Sequence, residues 1–164
     1  MDASIDQDLA RIALQEEQLQ FDTFTADTAW QLGTLLKETV EARGKAVAID
    51  IQLVGQPLFF CAMPGTTPDN LDWVRRKRNA VLHFQRSSYA IGLELKQKQT
   101  TLQEKAGLSL RDYATHGGCF PIRLRGTFIG TITISGLPQR DDHSVIVQVL
   151  AKWLDRQVGD LTLE

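Results

Sequence analysis

Between Lys45 and Leu53 the side chains alternate, with Val47, Ile49, Ile51 and Leu53 on one face and Ala48, Asp50 and Gln52 on the other. A period of two is that of a strand lying on a core. Val54-Gly55-Gln56 separates this run from a second apolar one, Pro57 to Met63, which predicts a β-hairpin. The same pattern recurs late in the chain. Phe120, Ile122 and Leu124 alternate with Pro121, Arg123 and Arg125, and Arg125-Gly126 makes a compact turn. Phe128, Ile132 and Ile134 then form the buried face of a strand whose other face carries Thr127, Thr131 and Thr133, a second hairpin.

Around the hairpins the period lengthens to that of helices. Residues from about Ile5 to Glu41 are helical in character, with Asp27 the expected N-cap before Trp30, Leu32, Leu35, Leu36 and Val40, and Gly44 placed to stop the helix. Pro64-Gly65 ends the first hairpin. Thr67-Pro68-Asp69 then reads as a helix start: a threonine cap, proline where no amide donor is missed, and a carboxylate at the positive end of the dipole. The helix it opens, about Asp69 to Gln85, puts Trp73, Ala80, Val81 and Phe84 on one stripe, with Arg75, Arg76, Lys77, Arg78 and Arg86 largely around it. Ser87 to about Lys105 is expected to be mostly helical and to end near Gly107. A last helix from about Asp141 presents Ile146, Val149, Leu150, Trp153 and Leu154 at i, i+3, i+4, i+7 and i+8. The order helix, hairpin, helices, hairpin, helix implies an antiparallel sheet covered by helices, an α+β fold.

Composition narrows this picture without redirecting it. A chain of 164 residues is the size of one domain and buries roughly 70% of its unfolded surface. No repeat or linker divides it, so residues 1–164 are read as a single domain. A net charge of -2 gives no overall attraction to nucleic acid or to an anionic membrane. An acidic, polar start and the lack of a long apolar run argue against a signal peptide or a membrane span, and place the expected location in the cytoplasm. Cys61 and Cys119 are too few and too far apart for a disulfide framework or zinc knuckle, and are expected to be buried thiols.

The most distinctive local sequence is His116-Gly117-Gly118-Cys119-Phe120-Pro121-Ile122, followed by Ser135-Gly136-Leu137-Pro138 and by Asp141-Asp142-His143 opening the last helix. With the element order, these segments resemble the GlcG/HbpS-like, so-called haem-degrading-domain family over about Trp30 to Trp153. Trp73-Val74-Arg75-Arg76-Lys77-Arg78-Asn79 resembles the Trp-x-x-x-Lys motif of its uncharacterised cytosolic branch. The resemblance implies a profilin-like fold, residues 1–26 as an N-terminal helical extension, a tendency to form homo-oligomers, and haem among the ligands to be considered. It transfers no agreed catalytic residues.

The candidate site is therefore argued from side-chain chemistry. Arg76 and Lys77 offer donors for a carboxylate or phosphate, and Trp73 an apolar ring to stack on; the alternative is a solvated helix face or a subunit contact. Imidazole is both an iron ligand and a group that titrates near neutrality. His116 is flanked by Gly117 and Gly118, which let backbone amides approach a ligand, although it can equally bond a turn carbonyl. His143, beside Asp141 and Asp142, either approaches a metal or belongs to a capped first turn, and His83 is expected at the surface. Asp50 interrupts the first strand's second face, where it can meet Arg76 or Lys77 in a polar cleft or in a buried ion pair. Gly-x-Ser-x-Gly, phosphate-loop, dinucleotide and Cys-x-x-Cys-His patterns are absent, and no catalytic residue or metal ligand is assigned. Two functions stand: a small-molecule or haem/tetrapyrrole-binding protein, with haem degradation as its associated activity, or a non-enzymatic homo-oligomeric scaffold or partner-binding protein.

Overall fold

A computed structural model describes residues 3–164, so the first two residues of the expected extension lie outside it. Its elements are α1 (Ala3–Gln18), α2 (Ala26–Glu41), β1 (Ala48–Leu53), β2 (Gln56–Ala62), α3 (Pro68–Phe84), α4 (Ser88–Gln97), α5 (Leu102–Ala106), β3 (Cys119–Leu124), β4 (Thr127–Ser135), α6 (Gln139–Trp153) and α7 (Val158–Leu161). The strands form one antiparallel sheet in the order β2-β1-β4-β3. Both hairpins and the α+β class thus follow the hydrophobic period.

The sheet has two unlike faces. Ile49 and Ile51 pair with Ile134 and Ile132 across β1 and β4, and with Phe120 and Ile122 they bury against α2 (Ala29, Leu32, Leu36, Val40) and α6 (Val145, Ile146, Val149, Leu150). Each such side chain taken out of water stabilises the fold by about 1.5–3 kcal/mol. The opposite face carries Asp50, Thr131, Thr133 and Cys119, all buried beneath α3. Polar groups in that position are usually paired, and Thr131 Oγ1 is an exception, with no partner among the described residues. Thr133 donates to Cys119 Sγ at 3.1 Å, and burial pushes the Cys119 thiol up to about 12. Cys61, on the edge strand, is only half-buried, which departs from the expected pair of buried thiols.

Three helix boundaries differ from expectation. The helical stretch from Ile5 to Glu41 is broken after Gln18 because Leu19 and Phe21 turn into the core, and Phe21 bonds the backbone of Arg123 and Arg125 beside β3. Asp27 is not the cap of α2: Thr25 is, in a reciprocal capping box with Thr28. The stretch from Ser87 to Lys105 splits into α4 and α5, the second opened by a Thr101–Glu104 capping box. Thr67 and Pro68 do open α3, and Gly44 and Gly107 take positive φ just beyond the ends of α2 and α5.

Gly33 on α2 shows how closely that helix rests on the sheet. A Cβ there would lie 2.3 Å from the Phe59 ring. Gly33→Ala is therefore expected to destabilise the protein by about 1–3 kcal/mol through overpacking, read as a lower urea midpoint at unchanged m-value.

Candidate functional site

The chemistry-bearing residues converge where the first turns of α3 and α6 meet the end of β4. A cleft of ≈ 250 Å³ opens there, lined by Asp69, Asn70 and Trp73 of α3, His116 ahead of β3, Ser135 at the end of β4, and Gln139 of α6. Lys77 and Asp142 reach the same cleft from below, each with a side chain 3% exposed or less.

Lys77 follows Val74 by three residues and precedes Ala80 and Val81 by three and four, so it lies on the buried stripe of α3. An ammonium in that position needs compensation. Its Nζ donates to Asp142 Oδ2 at 2.9 Å and to the Ile134 carbonyl at 3.1 Å. An ammonium carries three N–H groups, and the third has no partner among the described residues. Asp142 Oδ1 in turn accepts from the Leu137 amide at 3.0 Å, tying down the β4–α6 turn. Burial pushes the Asp142 carboxyl above its ordinary range, opposed by Lys77 and by the amides of Leu137 and Gly136. Asp142, which the sequence offered only as a charge near a helix end, is thus the partner that Lys77 requires.

His116 and Trp73 meet edge to face, with ring centroids 4.8 Å apart, and the Arg76 guanidinium covers Trp73 at 4.0 Å from its centroid. His116 remains exposed to solvent. Partial desolvation, then the positive charges of Lys77 and Arg76, lower its pKa below the ordinary value of 6.5, so its ring is neutral at pH 7. A neutral imidazole with an accessible nitrogen can bind a metal or accept a proton.

The remaining candidates lie elsewhere. Arg76 is engaged by Asp72 at 2.9 Å and by the Leu110 carbonyl, and does not line the cleft. Asp50 pairs with Arg78 at 2.9 Å and with Gln52, not with Arg76 or Lys77, because Arg78 is the residue of α3 that reaches it. The positive charge of α3 is locally balanced, since Arg75 bonds both Asp72 and Asp112 and its hydrogen bond holds Asp72 below the usual carboxylate range. His143 is fully buried, with Nε2 2.7 Å from Gln15 Oε1 and Nδ1 without a partner among the described residues, and it faces Tyr89 and Phe120 rather than the cleft. The cap of α6 is Pro138, and the carboxylate that bonds the amide before it is Asp142, not Asp141.

Gly117 and Gly118 serve close packing. The Gly117 amide donates to Gln139 Oε1 at 3.1 Å, and a Cβ on Gly117 would lie 2.2 Å from the Gln139 carbonyl. Gly118 has φ +128, and a Cβ there would be 2.6 Å from the Ile134 oxygen and 2.7 Å from Lys77 Nζ. Gly118→Ala is expected to cost about 2–3 kcal/mol, from backbone strain and displacement of the lysine, measured by equilibrium urea unfolding.

Comparison with known proteins places the chain in a family. Residues 24–151 match the family described as haem degrading protein HbpS-like, and the chain belongs to that family. Among its relatives, a UPF0303 protein of Azotobacter vinelandii is 57% identical over 162 residues, 98% of both chains, and one of Serratia proteamaculans is 57% identical over 152 residues, 92% of this chain and 94% of the other. The crystal structure of the Ybr137w protein has a TM-score of 0.82 at 33% identity, over 90% of this chain and 87% of that one. More distant likenesses show the fold alone: HbpS, with a TM-score of 0.64 at 20% identity over 82% of this chain and 92% of that one, and a PduOC:heme complex, with 0.65 at 16% identity over 79% and 94%. No helix among the described residues is long and apolar enough to cross a membrane.

Proposed function

We propose that the protein binds a small molecule of the haem/tetrapyrrole class at the His116 cleft. The observation that carries this reading is the exposed, neutral imidazole of His116 seated on Trp73 at the cleft mouth. The residues fit such a group: His116 supplies a nitrogen ligand, Trp73 an aromatic edge, and the unpartnered N–H of Lys77 a donor for a polar substituent. The family and the heme complex of a fold relative support the ligand class. Bound haem would supply an iron centre at the cleft mouth. The chain itself would hold the ligand, keep the imidazole unprotonated and order the cleft floor through Lys77 and Asp142.

Titration with haemin, followed by the Soret band, is expected to saturate at about one haemin per chain and to weaken by about tenfold or more in His116→Ala, the loss expected for a single strong ligand. His143→Ala is expected to leave the spectrum of the complex unchanged, because His143 faces away from the cleft. A Soret shift that ignores His116→Ala would overturn the reading.

The scaffold reading is favoured by one separate observation. Trp30 is 64% exposed on α2 and Phe60 50% exposed on the edge strand β2. Burial of such aromatics between copies of the chain would make the protein a homo-oligomer, compatible with ligand binding. Trp30→Glu would then shift the sedimentation coefficient toward the monomer.

A further inference from the structure

His116 is presented by a loop that two helices grip. On one side lies α4: a Cβ on Gly92 would be 2.3 Å from the Thr115 carbonyl, and one on Gly117 would be 3.2 Å from the Tyr89 ring. On the other side lies the start of α6, where Gln139 Oε1 accepts from the Gly117 amide at 3.1 Å. Contacts this close leave no slack, so the loop follows the spacing of the two helices.

Arg140, the residue after Gln139, ties the two helices together. Its Nη1 donates to the Tyr89 hydroxyl of α4 at 3.3 Å and to Asp8 Oδ2 at 2.5 Å, and its Nη2 to Asp8 Oδ1 at 3.2 Å and to the Glu164 carbonyl. Two bonds to one carboxylate fix a guanidinium in orientation as well as in place. Asp8 belongs to α1, which also sends Ile12 into an apolar cluster with Tyr89 and Ala90 of α4. Both residues lie outside the span 24–151 that matches the family.

We infer that Arg140 is a positioning residue for His116: clasped by Asp8 of the N-terminal helix, it holds Tyr89 and so sets the gap between α4 and α6 in which the His116 loop sits. The helix α1 thereby supports the site although none of its residues lines the cleft. The charges that act on His116 are those of Lys77 and Arg76, so a change made at Asp8 reaches the imidazole through packing. This deepens the function proposed above, and its affinity readout rests on that function.

The test compares wild type with Asp8→Ala, Asp8→Glu, Tyr89→Phe and Gly33→Ala, by the nitrogen-correlated ring signals of ligand-free protein and by haemin titration. Asp8→Ala is expected to move the His116 signals, to leave those of His83 in place, and to weaken haemin by about tenfold, the lower end for loss of an outer-shell partner. Asp8→Glu keeps the carboxylate and is expected to restore affinity to within about threefold of wild type. Tyr89→Phe keeps the ring against Gly117 and loses only the hydroxyl, so it carries the test should Asp8→Ala not fold; haemin is expected to weaken by about threefold. Gly33→Ala destabilises the fold at Phe59, a contact that involves none of these residues, and is expected to leave both readouts unchanged. Unmoved His116 signals with unchanged affinity in Asp8→Ala and Tyr89→Phe, or a loss in Gly33→Ala equal to that in Asp8→Ala, would overturn the positioning role and leave the proposed function standing. His116 signals that move in Asp8→Ala while haemin binding ignores His116→Ala would overturn the proposed function and leave the positioning role.

Discussion

Lys77→Met is expected to lower the unfolding free energy by about 3–5 kcal/mol, the usual cost of leaving one member of a buried ion pair without the other. That is a large share of the roughly 5–15 kcal/mol that holds a domain together. The lysine and Asp142 sit 2.9 Å apart with almost no exposure, so solvent cannot replace the missing charge. Replacing both charges while keeping an acceptor for the Leu137 amide, Lys77→Met with Asp142→Asn, is expected to cost clearly less than the sum of the two single changes. Urea unfolding of the four proteins measures the coupling. Additive costs would mean that the pair contributes nothing as a pair.

The second large effect is a loss of stability in acid set by His143. Complete burial, then the nearby charge of Arg140, lowers its pKa from 6.5 to about 3. The unfolded chain therefore binds a proton that the folded protein refuses. This contribution is fully present above pH 6.5 and falls as the pH drops toward 3, by about 1.4 kcal/mol per pH unit. Carboxylates add their own acid dependence, so the informative quantity is the difference between wild type and His143→Phe. Phenylalanine suits a site bordered by Tyr89 and Phe120 and has nothing to protonate. The wild type is expected to lose about 3 kcal/mol more than the variant between pH 6.5 and pH 4; parallel profiles would show that the site admits a proton.

The hairpins were legible because alternation is a local signal: Ile49 and Ile51, like Ile132 and Ile134, mark the buried face of their own strand by period, whereas the pairing of β1 with β4 that sets them opposite one another is a tertiary contact that no period announces. The break between α1 and α2 was not legible either, since neither glycine nor proline marks residues 19–25, and Leu19 and Phe21 leave the helical path for tertiary contacts. In the site, Trp73, Lys77 and His116 stand out by residue type, and the fold brings all three to one cleft. Their counterpart Asp142 lies 65 residues from Lys77, where no sequence period connects them. A signal existed in the position of Lys77 on the apolar stripe of its helix, which demands a carboxylate from elsewhere. His143 shows the converse. Its sequence surroundings, Asp141 and Asp142, suggest a capped first turn or an approach to a metal, whereas the imidazole enters the core beside Gln15.

The central claim, that ligand binds at His116, is tested most directly by recording the nitrogen-correlated ring signals of the three histidines while adding zinc protoporphyrin, a diamagnetic stand-in for haem. The account predicts that the His116 signals shift saturably while those of His83 and His143 stay in place. Saturable movement of His83 or His143 with His116 unmoved, or no saturable movement of any histidine, would contradict it.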